Sequence, residues 1–221
     1  MAKLLIFDWD GTLCDSLDRI VYCIRAAARD CGLSEPAPED AREIVGLGLV
    51  EALTHLFPSI DEGQVAMLRG SYSRHFVEQD ATPSPFYPGV GETLENLRNQ
   101  GYLLAVATGK SRRGLDRVLG AQGLTEFFHA SRCADETASK PDPTMLYELL
   151  DQFKLAPEEA LMIGDTEFDM AMSVNAGMRC IAVSYGAHTA ERLLAYQPLA
   201  CVSQFSELEK EVNNYKNHIV M

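Results

Sequence analysis

Three features of the chain predict an α/β protein whose parallel sheet is interrupted by a helical insertion. Short apolar runs alternate with helix-like patterns from residue 90 onward. A lone apolar run of the same kind stands at the N-terminus. Between them, two Pro-rich connections bracket a stretch with helix signals only. Residues 3–8 (KLLIFD) read as a strand buried on both faces, because four apolar residues run without alternation before Asp8. A helix is expected over 16–31, with Ser16 as its N-cap and Gly32 as its stop. Residues 38–79 read as helical, broken at 45–49 (VGLGL) and 57–63 (FPSIDEG). Helices are expected at 90–99, near 112–121, at 143–153 and near 167–176. Strands are expected at 102–107, 160–163 and 180–183, with a short apolar piece near 127–133.

The N-terminal strand belongs with the later ones. The expected core is therefore residues 1–14 plus about 84–221, and the helical insertion spans about 15–83. The insertion leaves directly after the first strand. Ligands of open α/β sheets bind at the carboxyl ends of strands, so the insertion should lie over that edge as a lid. The expected hinges are Cys14–Ser16 and Ala81–Tyr87.

The 221 residues carry a net charge of −13, which argues against nucleic acid or an anionic membrane as partner. No apolar run reaches the roughly 18 residues of a membrane span, and no secretory leader pattern is visible. The cysteines, Cys14, Cys23, Cys31, Cys133, Cys180 and Cys201, form no C-x-x-C pair and no zinc-like cluster, as suits reduced thiols in the cytoplasm. No protein partner is evident.

Chemistry collects after the strands. Asp8 and Asp10 flank Trp9 at the end of the first strand, on the same side of an extended chain. Two carboxylates so placed repel each other, and a bound cation would compensate. Thr108, Gly109 and Lys110 follow the strand at 102–107. Asp165 follows the strand at 160–163, with Asp169 one helical turn on, and Lys140 precedes Pro141 just ahead of a helix. Taken singly, Asp165 and Thr108 suit helix caps and Lys140 suits a solvated surface position. Helix capping accounts for neither a paired Asp-x-Asp nor a lysine, so the set is read as one site.

DWDGTL, ATGK, SKPDP and GDTEFD resemble, in order and spacing, the four motifs of the haloacid dehalogenase-like superfamily, and within it the phosphoglycolate phosphatase-like branch with a helical cap. The resemblance covers essentially the whole chain. It implies a Rossmann-like core and a Mg²⁺-dependent phosphatase acting on a small phosphorylated metabolite. It makes Asp8 the nucleophile, Asp10 the general acid and base, and Asp8, Asp165 and the Asp10 carbonyl the metal ligands. Asp169 would orient metal-bound water or Lys140. Thr108, Lys140 and backbone amides near Trp9 and Gly109 would hold the phosphoryl group. Asp10 argues against dehalogenation, since a leaving halide needs no proton.

In the lid, the resemblance turns a Gly-containing loop around Gly46 toward the substrate. Arg42 either meets a second anionic group or is a solvated helix residue. His55 and His75 read as packing residues, and Lys110, Arg112 and Arg113 as local positive charge. A phosphomutase, a small-molecule pyrophosphatase, or a phospho-accepting binding module are the alternative activities.

Overall fold

The structure, a computed structural model, describes residues 2–78 and 84–218. Residues 81–83 of the second expected hinge lie outside the described residues. Strand β1 (Leu4–Phe7) is followed by four helices: α1 (Leu17–Asp30), α2 (Pro38–Glu43), α3 (Leu49–Leu56) and α4 (Glu62–Glu78). Then come α5 (Val90–Asn99), β2 (Leu103–Thr108), α6 (Arg112–Ala121), β3 (Ala130–Cys133), α7 (Thr144–Phe153), β4 (Ala160–Gly164), α8 (Glu167–Asn175) and β5 (Arg179–Val183). The chain closes with α9 (Ala190–Leu194), the two-residue β6 (Cys201–Val202) and α10 (Leu208–His218). The last three elements have no counterpart in the sequence reading.

Among the described residues the sheet has six parallel strands in the order β3-β2-β1-β4-β5-β6. Parallel strands need crossovers, and helices on both faces supply them. One face buries Leu5, Phe7, Leu104, Val106, Leu161 and Ile163 under α5, α6 and α10. The other buries Leu4, Ile6, Ala105, Ala107 and Met162 under α7, α8 and α9. All four residues of β1 are fully buried, which is why its sequence shows no alternation. Each such side chain stabilises the fold by about 1.5–3 kcal/mol. That margin offsets the cost of placing carboxylates at the strand ends.

The chain moves from β1 to β2 and β3 on one side, then returns to β4 on the other. The reversal leaves a crevice beyond the carboxyl end of β1, where ligands of such sheets bind. Phe7 is in register with Val106 and with Ile163, so Asp8, Thr108 and Asp165 all follow closely at that crevice.

Helices α1–α4 hold apolar clusters of their own. One gathers Leu17, Ile20, Ile24, Ala41, Ile44, Ala52 and Phe76, and the other Ala27, Ala28, Leu53 and Leu68. The chain leaves and re-enters the sheet region side by side: Asp15 N–H donates to Pro85 O at 2.8 Å and Tyr87 N–H to Leu13 O at 3.0 Å. Ser16 holds the N-cap position of α1 but makes no side-chain capping bond. The position is the one the sequence reading gave it, and only the capping bond is missing. The hydroxyl has a stronger acceptor within reach, the Asp10 carboxylate, at 2.5 Å.

Candidate active site

Asp8 extends β1 by one residue, its N–H donating to Ile163 O at 2.9 Å, and its side chain is buried in the crevice. Lys140 reaches it from the loop before α7. The ammonium donates to Asp8 Oδ1 and to Asp169 Oδ1, each at 2.6 Å, with all three side chains no more than 1% exposed. Asp169 Oδ2 accepts from the amide and hydroxyl of Thr166, closing a capping box at the start of α8. Both oxygens of Asp169 are thus engaged, and they fix Lys140.

Asp165, at the end of β4, accepts from Thr12 Oγ1 and from the Ala187 amide, each at 2.7 Å. Gly11 (φ +82°) and Gly186 close in on it so tightly that a β-carbon at either position would collide with its carboxylate. Gly11 therefore does two things at once: it takes the left-handed turn and it leaves room for Asp165.

One carboxylate oxygen from each of Asp8, Asp165 and Asp169 lies within 4.8 Å of the others. Three carboxylates face one ammonium, so two negative charges are left over, the charge a divalent cation brings. Asp8 Oδ2 is buried and has no hydrogen-bond partner among the described residues. A buried carboxylate oxygen left bare is costly. An all-oxygen donor set of this kind suits a hard cation. The residues present therefore fit a divalent metal.

The electrostatics agree. Burial raises the Asp8 carboxyl well above the usual carboxylate range, although Lys140 pulls it back. Asp165 is pushed up to about 7, first by burial and then by the charge of Asp169. Burial opposes the charge of Lys140, but Asp169 and Asp8 outweigh it and hold the ammonium above its ordinary range.

Asp10 stands at the mouth of this cluster, 8% exposed. Its Oδ1 accepts from Ser16, and its Oδ2 pairs with Lys110 Nζ at 2.9 Å. Thr108 is buried at the end of β2, and its hydroxyl oxygen accepts the Lys110 N–H at 3.2 Å. Trp9 is fully buried, edge-on to Phe86 and Phe128. The loop after α2 covers the crevice. A β-carbon on Gly109 would collide with the carbonyls of Gly46 and Leu47, and Gly46 (φ +101°) packs on Thr166 and Phe168. Gly48 N–H donates to Ser139 Oγ at 2.7 Å.

Asp8, Asp10, Thr108, Lys140, Asp165 and Asp169 thus come together, with Trp9, Gly109 and Gly46 around them. Arg42 does not join them: it pairs with Asp18 at 2.9 Å, and its side chain is 39% exposed. His75 is held by Asp30 at 2.8 Å, and Arg112 by Glu136 and Asp116. Three residues of the site have roles the sequence reading did not give them: Thr12 on Asp165, Ser16 on Asp10, and Lys110 on Asp10. The signal for Thr12 was its place in DWDGTL. Ser16 carried only a capping signal.

No helix among the described residues is long and apolar enough to cross a membrane. Residues 5–183 match the model of the haloacid dehalogenase-like hydrolase family. The chain is 38% identical to "Probable phosphatase IndB" of Dickeya dadantii over 215 residues, covering 94% of this chain and 92% of that protein. It is 31% identical to a phosphoglycolate phosphatase of Mannheimia succiniciproducens over 220 residues, covering 95% and 98%. A crystal structure from Haemophilus somnus, described as a predicted phosphoglycolate phosphatase, superimposes with a TM-score of 0.84 at 27% identity, covering 96% and 98%. The family match, the named relatives and the buried carboxylates at the sheet's reversal lead to one conclusion: this chain belongs to the haloacid dehalogenase-like hydrolases and is a phosphatase.

Proposed function

We propose that the protein hydrolyses a small phosphomonoester through an aspartyl-phosphate on Asp8, with Mg²⁺ held by Asp8, Asp165 and the backbone carbonyl of Asp10. The observation that carries this reading is the bare, buried Oδ2 of Asp8 beside a carboxylate cluster with two uncompensated charges. The bound cation would supply charge neutralisation between the carboxylates and the anionic phosphoryl group.

Asp8 attacks phosphorus. A bond forms from its carboxylate oxygen to phosphorus as the bond from phosphorus to the ester oxygen breaks. Asp10, poised by Ser16 at 2.5 Å, gives its proton to the departing alkoxide. It then takes a proton from the water that attacks the same phosphorus, which frees inorganic phosphate and restores Asp8. Lys140 holds Asp8 Oδ1 in place and offsets charge at the equatorial oxygens, and Thr108 and the Gly109 amide hold the phosphoryl group. Asp169 keeps Lys140 oriented. Helices α1–α4 act as the cap, and the Gly46–Gly48 loop excludes water.

The test is phosphate release over a panel of phosphorylated metabolites, with Mg²⁺ and then with excess EDTA, alongside mass analysis of the quenched protein. Many phosphates released per protein, loss in EDTA, and a phosphate mass on Asp8 are expected. Full turnover in EDTA, or phosphate found elsewhere, would rule the reading out.

A further inference from the structure

Residues 184–188 (SYGAH) follow β5 and carry none of the motifs read from the sequence, yet they close around Asp165. The Ala187 amide donates to Asp165 Oδ2 at 2.7 Å, and the His188 amide to the Asp165 carbonyl at 3.3 Å. Tyr185 donates its hydroxyl to the Thr12 carbonyl at 2.8 Å, and Thr12 in turn holds Asp165 Oδ1. The Tyr185 ring also packs on Tyr87, centroids 4.5 Å apart, where the chain returns from α4 and bonds Leu13. One short segment therefore touches the metal-side carboxylate and the re-entry strand together.

Its last side chain reaches the cover. The His188 ring is 2% exposed and lies edge-on to Phe168 at 5.4 Å. Nδ1 is 3.1 Å from the Glu167 amide nitrogen, and Nε2 is 3.1 Å from the Glu43 carbonyl. An amide N–H only donates and a carbonyl only accepts. Nδ1 is thus the acceptor, and the ring proton sits on Nε2, which donates to Glu43. Last-turn carbonyls of a helix lack partners within it, and His188 supplies one at the end of α2. The loop that follows Glu43 rests on Thr166, Gly109 and Ser139. When the cover lifts, Nε2–H loses its acceptor, while the bond from Glu167 stays within the core. When Asp165 is fixed, residues 187 and 188 are fixed with it, and the imidazole is held where Glu43 meets it.

We propose that His188 is a positioning residue that couples closure of the cover to the metal side of the site. Asp165 drawn onto a divalent cation holds the segment, the segment presents Nε2–H to Glu43, and the closed cover in return steadies Asp165. The proposal rests on the metal-dependent reading above. Such coupling is reciprocal: the cation favours closure by the same factor as closure favours the cation.

The experiment uses the full chain with Mg²⁺ alone and no substrate. In wild type, saturating Mg²⁺ should slow hydrogen exchange at Gly48, whose amide bonds Ser139 across the closed cover. The expected factor is about two- to tenfold, the scale of one hydrogen bond. His188→Asn keeps an acceptor near Nδ1 for the Glu167 amide but is too short to reach Glu43. Mg²⁺ should still raise the Tm of this variant, bind it more weakly by that same factor, and leave Gly48 exchange nearly unchanged. His188→Gln sets an amide N–H where Nε2–H stood and should regain most of the slowing. That rescue separates coupling from lost packing, since both substitutions remove the ring from Phe168. Wild type offers a readout that needs no substitution. NMR of isotope-labelled histidine should place the His188 proton on Nε2 and show its exchange slowed by Mg²⁺. Slowing at Gly48 in His188→Asn equal to wild type would overturn the proposal and leave the phosphatase reading intact. So would a wild-type Tm that rises with Mg²⁺ while Gly48 and the Nε2 proton exchange as before. Mg²⁺ that neither raises the wild-type Tm nor restores turnover after EDTA would overturn both this proposal and the metal-dependent reading.

Discussion

The carboxylate cluster and the helical cover over it are held by opposite means. In the cluster, Asp8, Lys140, Thr166 and Asp169 are at most 1% exposed and bind one another from three separate stretches of chain, and Asp165 beside them, equally buried, is held by Thr12 and the Ala187 amide. Across the cover, by contrast, ion pairing reaches solvent. Arg192 on α9 pairs with Glu43 at the end of α2, with side chains 32% and 50% exposed. His188 Nε2 meets the Glu43 carbonyl at 3.1 Å. A buried charge network is fixed because breaking it strands a charge in low dielectric, at about 3–5 kcal/mol. Half-exposed pairs contribute about 0–1 kcal/mol and re-form easily. On the proposed reading, the difference teaches where precision is needed and where motion is: the reacting groups must not move, and the cover must.

The comparison breaks most visibly at Asp8. Asp8→Asn removes the proposed nucleophile and leaves Lys140 with Asp169 alone. Turnover should fall on the order of 10⁴-fold or more, with no phosphoprotein detected. Residual phosphorylation in the variant would place the nucleophile elsewhere. Asp10→Asn should act differently, because in the proposed cycle Asp10 is needed twice. With an alkyl phosphate, turnover should fall about 10²–10⁴-fold. With an aryl phosphate, whose leaving group needs no proton, one equivalent of aryl alcohol should appear in a burst while phosphate stays on Asp8. Unchanged steady-state rates on both substrates would sink the acid–base role.

A stability measurement sharpens the comparison at Asp165. Its folded-state pKa of about 7 lies above the ordinary 3.8, so the metal-free fold binds this proton more tightly than the unfolded chain does. The stability it contributes is full below about 3.8 and is lost as pH rises through about 7. In EDTA, the Tm of wild type minus that of Asp165→Asn should therefore fall between pH 4 and pH 7.5, because Asn does not titrate. Adding Mg²⁺ at pH 7.5 should restore wild type and leave the variant nearly unmoved. A difference that rises with pH in EDTA would contradict the burial-driven shift.

How far the sequence announced all this follows the same division. The ends of β1, β2 and β4 were legible because each apolar run stops at a polar residue that the fold brings to one crevice: Asp8, Thr108 and Asp165. Lys140 was legible only in company with them. Periodicity also located α1, α5, α6 and α7 to within a residue or so. It was weak for β3, whose ASRC is mostly half-buried, and the sequence reading stopped at Val183, short of the two-residue β6 and of α9 and α10. Side-chain partners were the least visible layer. Ser16 fits an N-cap locally, and only the tertiary approach of Asp10 offers it a better acceptor. Arg42 could have faced the crevice, but Asp18, 24 residues earlier, holds it instead. No local pattern encodes which of two acceptors a folded chain brings nearer.

The smallest expected effect lies at the cover's edge. Glu43 is the cleaner position to change, because Glu43→Gln frees Arg192 from the cover while its bond to Glu167, at 2.8 Å, remains within the core. The His188 contact uses the Glu43 carbonyl and survives as well. The pair is half-exposed, so its coupling in a Glu43→Gln, Arg192→Gln double-mutant cycle should come out below about 1 kcal/mol. That is enough to raise the open population a few-fold and no more. Hydrogen exchange at Leu47 and Gly48 should quicken by a similar factor, since their loop follows α2 and rests on Gly109 and Ser139. Salt supplies an internal control. At about 1 M, where screening reaches within about 3 Å, wild type should exchange at nearly the variant's rate. Turnover should change by less than about tenfold, because none of the reacting groups has been touched. Should Glu43→Gln instead abolish activity with exchange unaltered, the cover would be part of the rigid machinery, and the division between fixed cluster and yielding cover would fail.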